Sequence, residues 1–109
     1  MESIIQTFRQ ALVLSEKNQT QLAGQHLAFE TIIAIGACKE KAAPLTSLIL
    51  PWLHSNDPSI IHYAICTLGE ITVGPHDALA WHITPFLTHE YAMITIAAQE
   101  VLDKLTGPK

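Results

Sequence analysis

Two stretches of the chain carry the same apolar pattern. Ile60, Ala64, Leu68 and Ile71 recur at steps of three and four, and so do Ile94, Ala98, Leu102 and Leu105, each residue 34 after its counterpart. Steps of three and four put the apolar side chains on one face of a helix, whereas a half-buried strand alternates with a period of two. A second pair of segments repeats just upstream. Ile49-Leu50-Pro51-Trp52-Leu53 aligns with Ile83-Thr84-Pro85-Phe86-Leu87, and 85 − 51 = 34. A period of this size is the length of one helix pair in a repeat architecture. A weaker first copy runs over 2–37, where Ile35-Gly36 matches Leu68-Gly69 and 68 − 35 = 33.

Local chemistry supplies the expected boundaries. Asn56-Asp57-Pro58 offers a capping side chain followed by a proline in the first turn, so a helix begins near Pro58. Gly74-Pro75 ends it, and Pro44 opens the preceding one. Pro51 and Pro85 then fall inside the first helix of their pairs, where the ring removes a backbone hydrogen bond and bends the axis. The predicted helices cover about 2–15, 20–37, 43–55, 58–73, 76–88 and 90–105, each boundary good to about two to four residues. They form one domain with repeats at about 2–37, 43–73 and 76–105.

At Asp57-Pro58-Ser59-Ile60-Ile61-His62-Tyr63-Ala64-Ile65-Cys66-Thr67-Leu68-Gly69-Glu70-Ile71 the sequence resembles the second helix of a HEAT-like repeat of the phycobilisome-lyase type, roughly D-P-x-V-R-x-x-A-x-x-A-L-G-x-I. Asp57, Pro58, Ile60, Ala64, Leu68, Gly69 and Ile71 match; Ile61 stands in place of the usual Arg and Thr67 in place of the second Ala. The likeness extends over nearly the whole chain, with the first and third copies degenerate. It implies an all-α fold, a short right-handed α-solenoid of about three HEAT-like helix pairs, six helices in all. It does not transfer a function, because one scaffold hosts many.

Composition narrows the classes of partner. The chain has 109 residues and two cysteines, enough to bury a core without disulfides or a structural metal. A formal net charge of −4 with six Lys and Arg leaves no basic stripe for a phosphate backbone, which argues against nucleic acid. No apolar run approaches the roughly 18 residues that would cross a bilayer, and Met1-Glu2-Ser3 does not begin a signal peptide. A cytoplasmic protein without a membrane partner is the expectation.

Candidate chemistry is sparse. Some HEAT-like proteins, the deoxyhypusine hydroxylases among them, hold a di-iron centre through His-Glu pairs at the start of second helices. This chain has Phe29-Glu30, His62-Tyr63 and Ile96-Ala97 at those positions, and His89-Glu90 lies out of register. His62 with Cys66 and His26 with Glu30 are each four apart on a helix face, but two ligands do not make a metal site. Gly-rich phosphate loops and a nucleophile turn are absent. No catalytic residue, metal or cofactor is therefore assigned. The lyase resemblance leaves pigment attachment as an alternative, with Cys66 as the thiol it would use.

Binding is the leading expectation. Repeat arithmetic places Phe29, His62 and Ile96 in one outward row of the second helices, Glu30, Tyr63 and Ala97 in the next, and Ile33, Cys66 and Glu100 in a third. The core would take Leu27, Thr31 and Ile35 in the first copy, with Ile60, Ala64 and Leu68 and then Ile94, Ala98 and Leu102 in the others. Such rows line the concave face on which stacked repeats hold partners, and their mix of aromatic, aliphatic and acidic groups suits protein recognition by an adaptor, inhibitor or immunity-type module. A second surface is predicted around Trp81 and Trp52, with Leu79, Ile83, Phe86 and Leu87 nearby, which would let the terminal repeat self-associate into a homo-oligomer. The Lys39-Glu40-Lys41 and Ser15-Glu16-Lys17-Asn18 stretches are read as solvated connectors.

Overall fold

Helices are the only regular elements in the described part of the chain. A computed structural model describes residues 2–17, 22–72 and 77–105, and among these no strand occurs. The elements are α1 (Glu2–Lys17), α2 (Leu22–Ala37), a 3₁₀-helix Lys39–Leu45, α3 (Thr46–Ile49), a 3₁₀-helix Leu50–His54, α4 (Pro58–Ile71), α5 (Asp77–Ile83), a 3₁₀-helix Thr84–Thr88 and α6 (Ala92–Leu105). The expected helix start at 20, the Gly74-Pro75 stop and Asn18 lie outside the described residues.

α4 begins where its capping chemistry dictates. Asp57 has extended backbone (φ −96, ψ 113), its side chain accepts the Ser59 N–H at 2.9 Å, and Pro58 occupies the first turn. Its last turn closes on Thr72, whose N–H and hydroxyl both donate to the Leu68 carbonyl, at 3.2 and 2.6 Å.

Pro51 and Pro85 act differently from the expected bend within one continuous helix. Each is the second residue of a 3₁₀-helix, at the point where α3 and α5 give way to tighter winding. A proline cannot donate to the carbonyl four residues back and its ring crowds that carbonyl, so the α-ladder stops there. The geometry recurs closely: Ile49 has φ −86, ψ −31 and Ile83 has φ −87, ψ −32. Pro44 likewise does not open a helix; it is the sixth residue of the Lys39–Leu45 3₁₀-helix. α1 contains no proline and remains α-helical throughout.

The 34-residue recurrence in sequence extends to the boundaries of α4 and α6 and to the hydrogen bonds just before them. α4 and α6 start and stop 34 residues apart (92 − 58 and 105 − 71). Asp57 N–H donates to Ser55 Oγ at 3.0 Å, and Tyr91 N–H donates to His89 Nδ1 at 3.2 Å, again 34 on.

α4 is central, packed against α2 on one side and α6 on the other, while α2 also packs on α1. Burial follows from that position. Ile60, Ile61, Ala64, Ile65, Leu68 and Ile71 of α4 are all buried, a stripe wider than one neighbour would cover. α2 is similar: Ala28, Ile32 and Ile35 are fully buried with Thr31 beside them, whereas Leu27, expected in the core, is only half-buried. Its two neighbours, α1 and α4, move the centre of the buried stripe by one residue.

Candidate functional site

The face formed by α2, α4 and α6 keeps apolar groups in solvent that none of these helices needs for its own packing. Ile33 is 40% exposed, Tyr63 37% and Ile96 58%, with Met93 also exposed. Phe29 is half-buried and stands edge-on to Tyr63, ring centroids 5.1 Å apart at 87°. The His62 ring also stands edge-on to Tyr63, at 4.9 Å and 80°. Edge-to-face contacts of this kind fix aromatic orientation beyond simple area burial. The result is a three-ring cluster that joins α2 to α4.

Of the expected outward rows, Phe29, Glu30, Ile33, His62, Tyr63, Cys66, Ile96 and Glu100 all reach the surface fully or in part. Ala97 does not; it is buried, 3% exposed, because α6 turns that residue toward α4. Both pairs spaced by four are in contact. His26 Nε2 lies 3.4 Å from Glu30 Oε2, and Cys66 Sγ lies 3.8 Å from His62 Nε2. Among the described residues no three His, Cys, Asp or Glu side chains gather into a group that could hold a metal ion.

Beside this cluster a groove of about 170 Å³ opens between α4 and α6, lined by Cys66, Gly69, Glu70, Ala97, Glu100, Val101 and Lys104. Burial pushes the Cys66 thiol up from its ordinary value, and the Glu100 and Glu70 carboxylates push it further. Glu70 is shifted the other way, held below the usual carboxylate range first by the hydrogen bond from Lys39 and then, against a smaller opposing effect of burial, by the Lys39 and Lys104 charges. Lys104 reaches across the groove and donates to the Gly69 carbonyl. That carbonyl belongs to the last turn of α4, where backbone acceptors lack helical donors.

Sequence reasoning missed Glu70 and Lys104. Four residues beyond Cys66 and Glu100 they form the next row of the same register, since 104 − 70 = 34, and extending the rows by one turn finds them. Lys39, expected as part of a solvated connector, is exposed but also has a partner. Its ammonium pairs with Glu70 on α4, and it sits in the left-handed backbone region at φ 56, just beyond the end of α2.

The second surface contracts to one residue. Trp81 is 81% exposed, but Leu79 and Ile83 are core residues and Phe86 and Leu87 pack against the core. Trp52 is buried at 3% exposure, its indole N–H without a hydrogen-bond partner among the described residues. α5 packs on α6 and on its own 3₁₀ continuation, and this turns its apolar stripe inward and Trp81 outward. A further open depression of about 340 Å³ lies on α1 along Arg9, Gln10, Val13 and Leu14.

No protein-family model, curated protein or solved structure matches the chain. Among the described residues no helix is long and apolar enough to cross a membrane.

Proposed function

We propose that this chain is a short right-handed solenoid of three HEAT-like helix pairs that binds another protein through the second-helix face. The observation that carries the reading is the exposure of one apolar side chain on each of three helices packed side by side, Ile33 on α2, Tyr63 on α4 and Ile96 on α6. Partner surfaces typically combine an aromatic and aliphatic centre with a polar rim. Here Phe29, Tyr63 and Ile33 supply the centre, while Glu30 and Glu100 supply the rim. The 34-residue recurrence of helix ends, of the proline-driven 3₁₀ switch and of the two pre-helix hydrogen bonds supports the stacked-repeat part of the reading. A cytoplasmic adaptor or inhibitor, including a toxin-neutralising immunity protein, fits this form.

Pigment attachment draws less support. The Cys66 thiol is pushed up, which lowers the thiolate that would attack. The groove beside it, at about 170 Å³, is smaller than the few hundred Å³ usual for small-molecule sites. Self-association through Trp81 keeps one specific observation in its favour, the 81% exposure of that indole.

Quantitative recovery of partners from native cell extract, comparing the wild type with Phe29→Ala plus Tyr63→Ala and with Trp81→Ala, tests the proposal. Loss of a specific partner with the first variant and retention with the second is expected. Undiminished recovery by the double variant would sink the second-helix site; loss with Trp81→Ala alone would move the interface to the terminal repeat.

A further inference from the structure

We infer that the groove between α4 and α6 receives a lysine or arginine side chain, so that the partner of the second-helix face is a protein presenting a basic amphipathic helix. The inference rests on the partner-binding reading above and gives that partner a chemistry.

Charge is the first ground. α2, α4 and α6 together carry Glu30, Glu70, Glu100 and Asp103 against Lys104 as their sole Lys or Arg, and with Lys39 paired to Glu70 the groove's open carboxylate is that of Glu100. Glu100 stands exposed on the groove wall and makes no ion pair among the described residues. The end of α4 adds to the negative character, because the terminal carbonyls of a helix carry the negative pole of its dipole.

The groove's own occupant is the second ground. Lys104 already places an ammonium against the Gly69 carbonyl, so this wall accepts a cation of the kind proposed. Beside it, Ala97 and Val101 give an apolar floor, with Val101 packed closely on Gly69. An apolar floor with a carboxylate at its mouth matches a long basic side chain, whose methylene stem packs while its charged head stays at the rim. Cys66 lies on the same wall, where burial first and then the Glu100 and Glu70 carboxylates push its thiol up.

Other occupants fit less well. A second copy docked through the same face would bring two acidic surfaces, each with Glu30 and Glu100, together. A nucleic-acid backbone would meet the same repulsion.

The test uses two synthetic helical peptides of roughly 18 residues, long enough to form a helix. They share one leucine stripe; one is flanked by lysine and arginine, the other by glutamate. Each is titrated into the full ¹⁵N-labelled chain at low and high salt. The basic peptide is expected to shift amides at 66–70 and 97–104 around the groove. Its binding should weaken as salt rises, and Glu100→Gln should weaken it about tenfold, as loss of a charge-assisted bond does. Glu100 is exposed, so this variant keeps its helical circular dichroism. Equal binding of the acidic peptide on the same face would overturn the cation inference and leave the face reading standing. Shifts confined to α1 or α5, no binding by the basic peptide, or an unchanged Glu100→Gln affinity would also overturn the inference. Failure of the face reading shows separately, as undiminished partner recovery by Phe29→Ala plus Tyr63→Ala.

Discussion

Gly36 on α2 lies against Thr67 on α4 so closely that a Cβ at the glycine would come 3.0 Å from the threonine Oγ1. One copy later Gly69 on α4 meets Val101 on α6 in the same way, with a Cβ falling 2.8 Å from Val101 Cγ2. The Thr67 hydroxyl also donates to the Ile32 carbonyl of α2 at 3.0 Å, so the first crossing is polar where the second is apolar. These glycines let α2, α4 and α6 approach, and that approach sets the spacing of the face.

Gly69→Ala is therefore expected to destabilise the chain. Overpacking costs about 1 to 3 kcal/mol, and the better helix propensity of alanine offsets about 1 kcal/mol of it. Val101 is β-branched and has little rotamer freedom with which to yield. In a Val101→Ala background the Gly69→Ala cost should fall by about 0.5 kcal/mol or more, the coupling typical of residues in contact. Urea denaturation of the four chains measures this; additive effects would mean that the contact is not tight.

The left-handed Lys39 gives a backbone test. Both Lys39→Gly and Lys39→Val lose the pairing with Glu70, so their difference isolates the conformation at φ 56. Valine should be less stable than glycine by about 1 to 2 kcal/mol, because a side chain in this region clashes with its own backbone. Equal stability of the two variants would remove the claim of strain.

Glu70 makes part of the stability depend on pH. Its folded value lies below the ordinary one, so its contribution is complete above the ordinary glutamate range and is lost as pH falls through the folded value. The stability difference between wild type and Glu70→Gln should be greatest near neutrality and vanish in acid. It should also be small, since the pair is exposed and screened. A difference that stays constant across the acid range would contradict the pairing.

Cys66 should alkylate slowly. In a Cys38→Ser background, the pH midpoint of its reaction with iodoacetamide is expected above that of a free thiol, because burial and two carboxylates oppose the thiolate. Glu100→Gln should move the midpoint down. A midpoint at or below the ordinary value would reopen a nucleophilic role for this thiol.

Much of the helix layout was legible because its signals are local. Asp57-Pro58 is a cap wherever it occurs, and a 34-residue spacing of prolines and apolar faces needs no tertiary information. The site rows followed from the same arithmetic, which is why Phe29, Tyr63 and Glu100 reach the surface together. What escaped depends on partners distant in sequence. Trp52 and Leu79 look like surface residues until α4 and α6 cover them, and Ala97 looks outward until the groove wall is built. Lys39 reads as a loop charge because Glu70, its partner, is 31 residues away.

The central claim is that a partner protein covers the second-helix face, and site-specific photo-crosslinking reads that contact directly. A benzophenone crosslinker at position 33, 63 or 96, all on exposed side chains, is compared with one at position 81. Adducts to a single partner from the first three sites, and none from position 81, are expected; adducts from position 81 alone, with the three face positions silent, would contradict the claim.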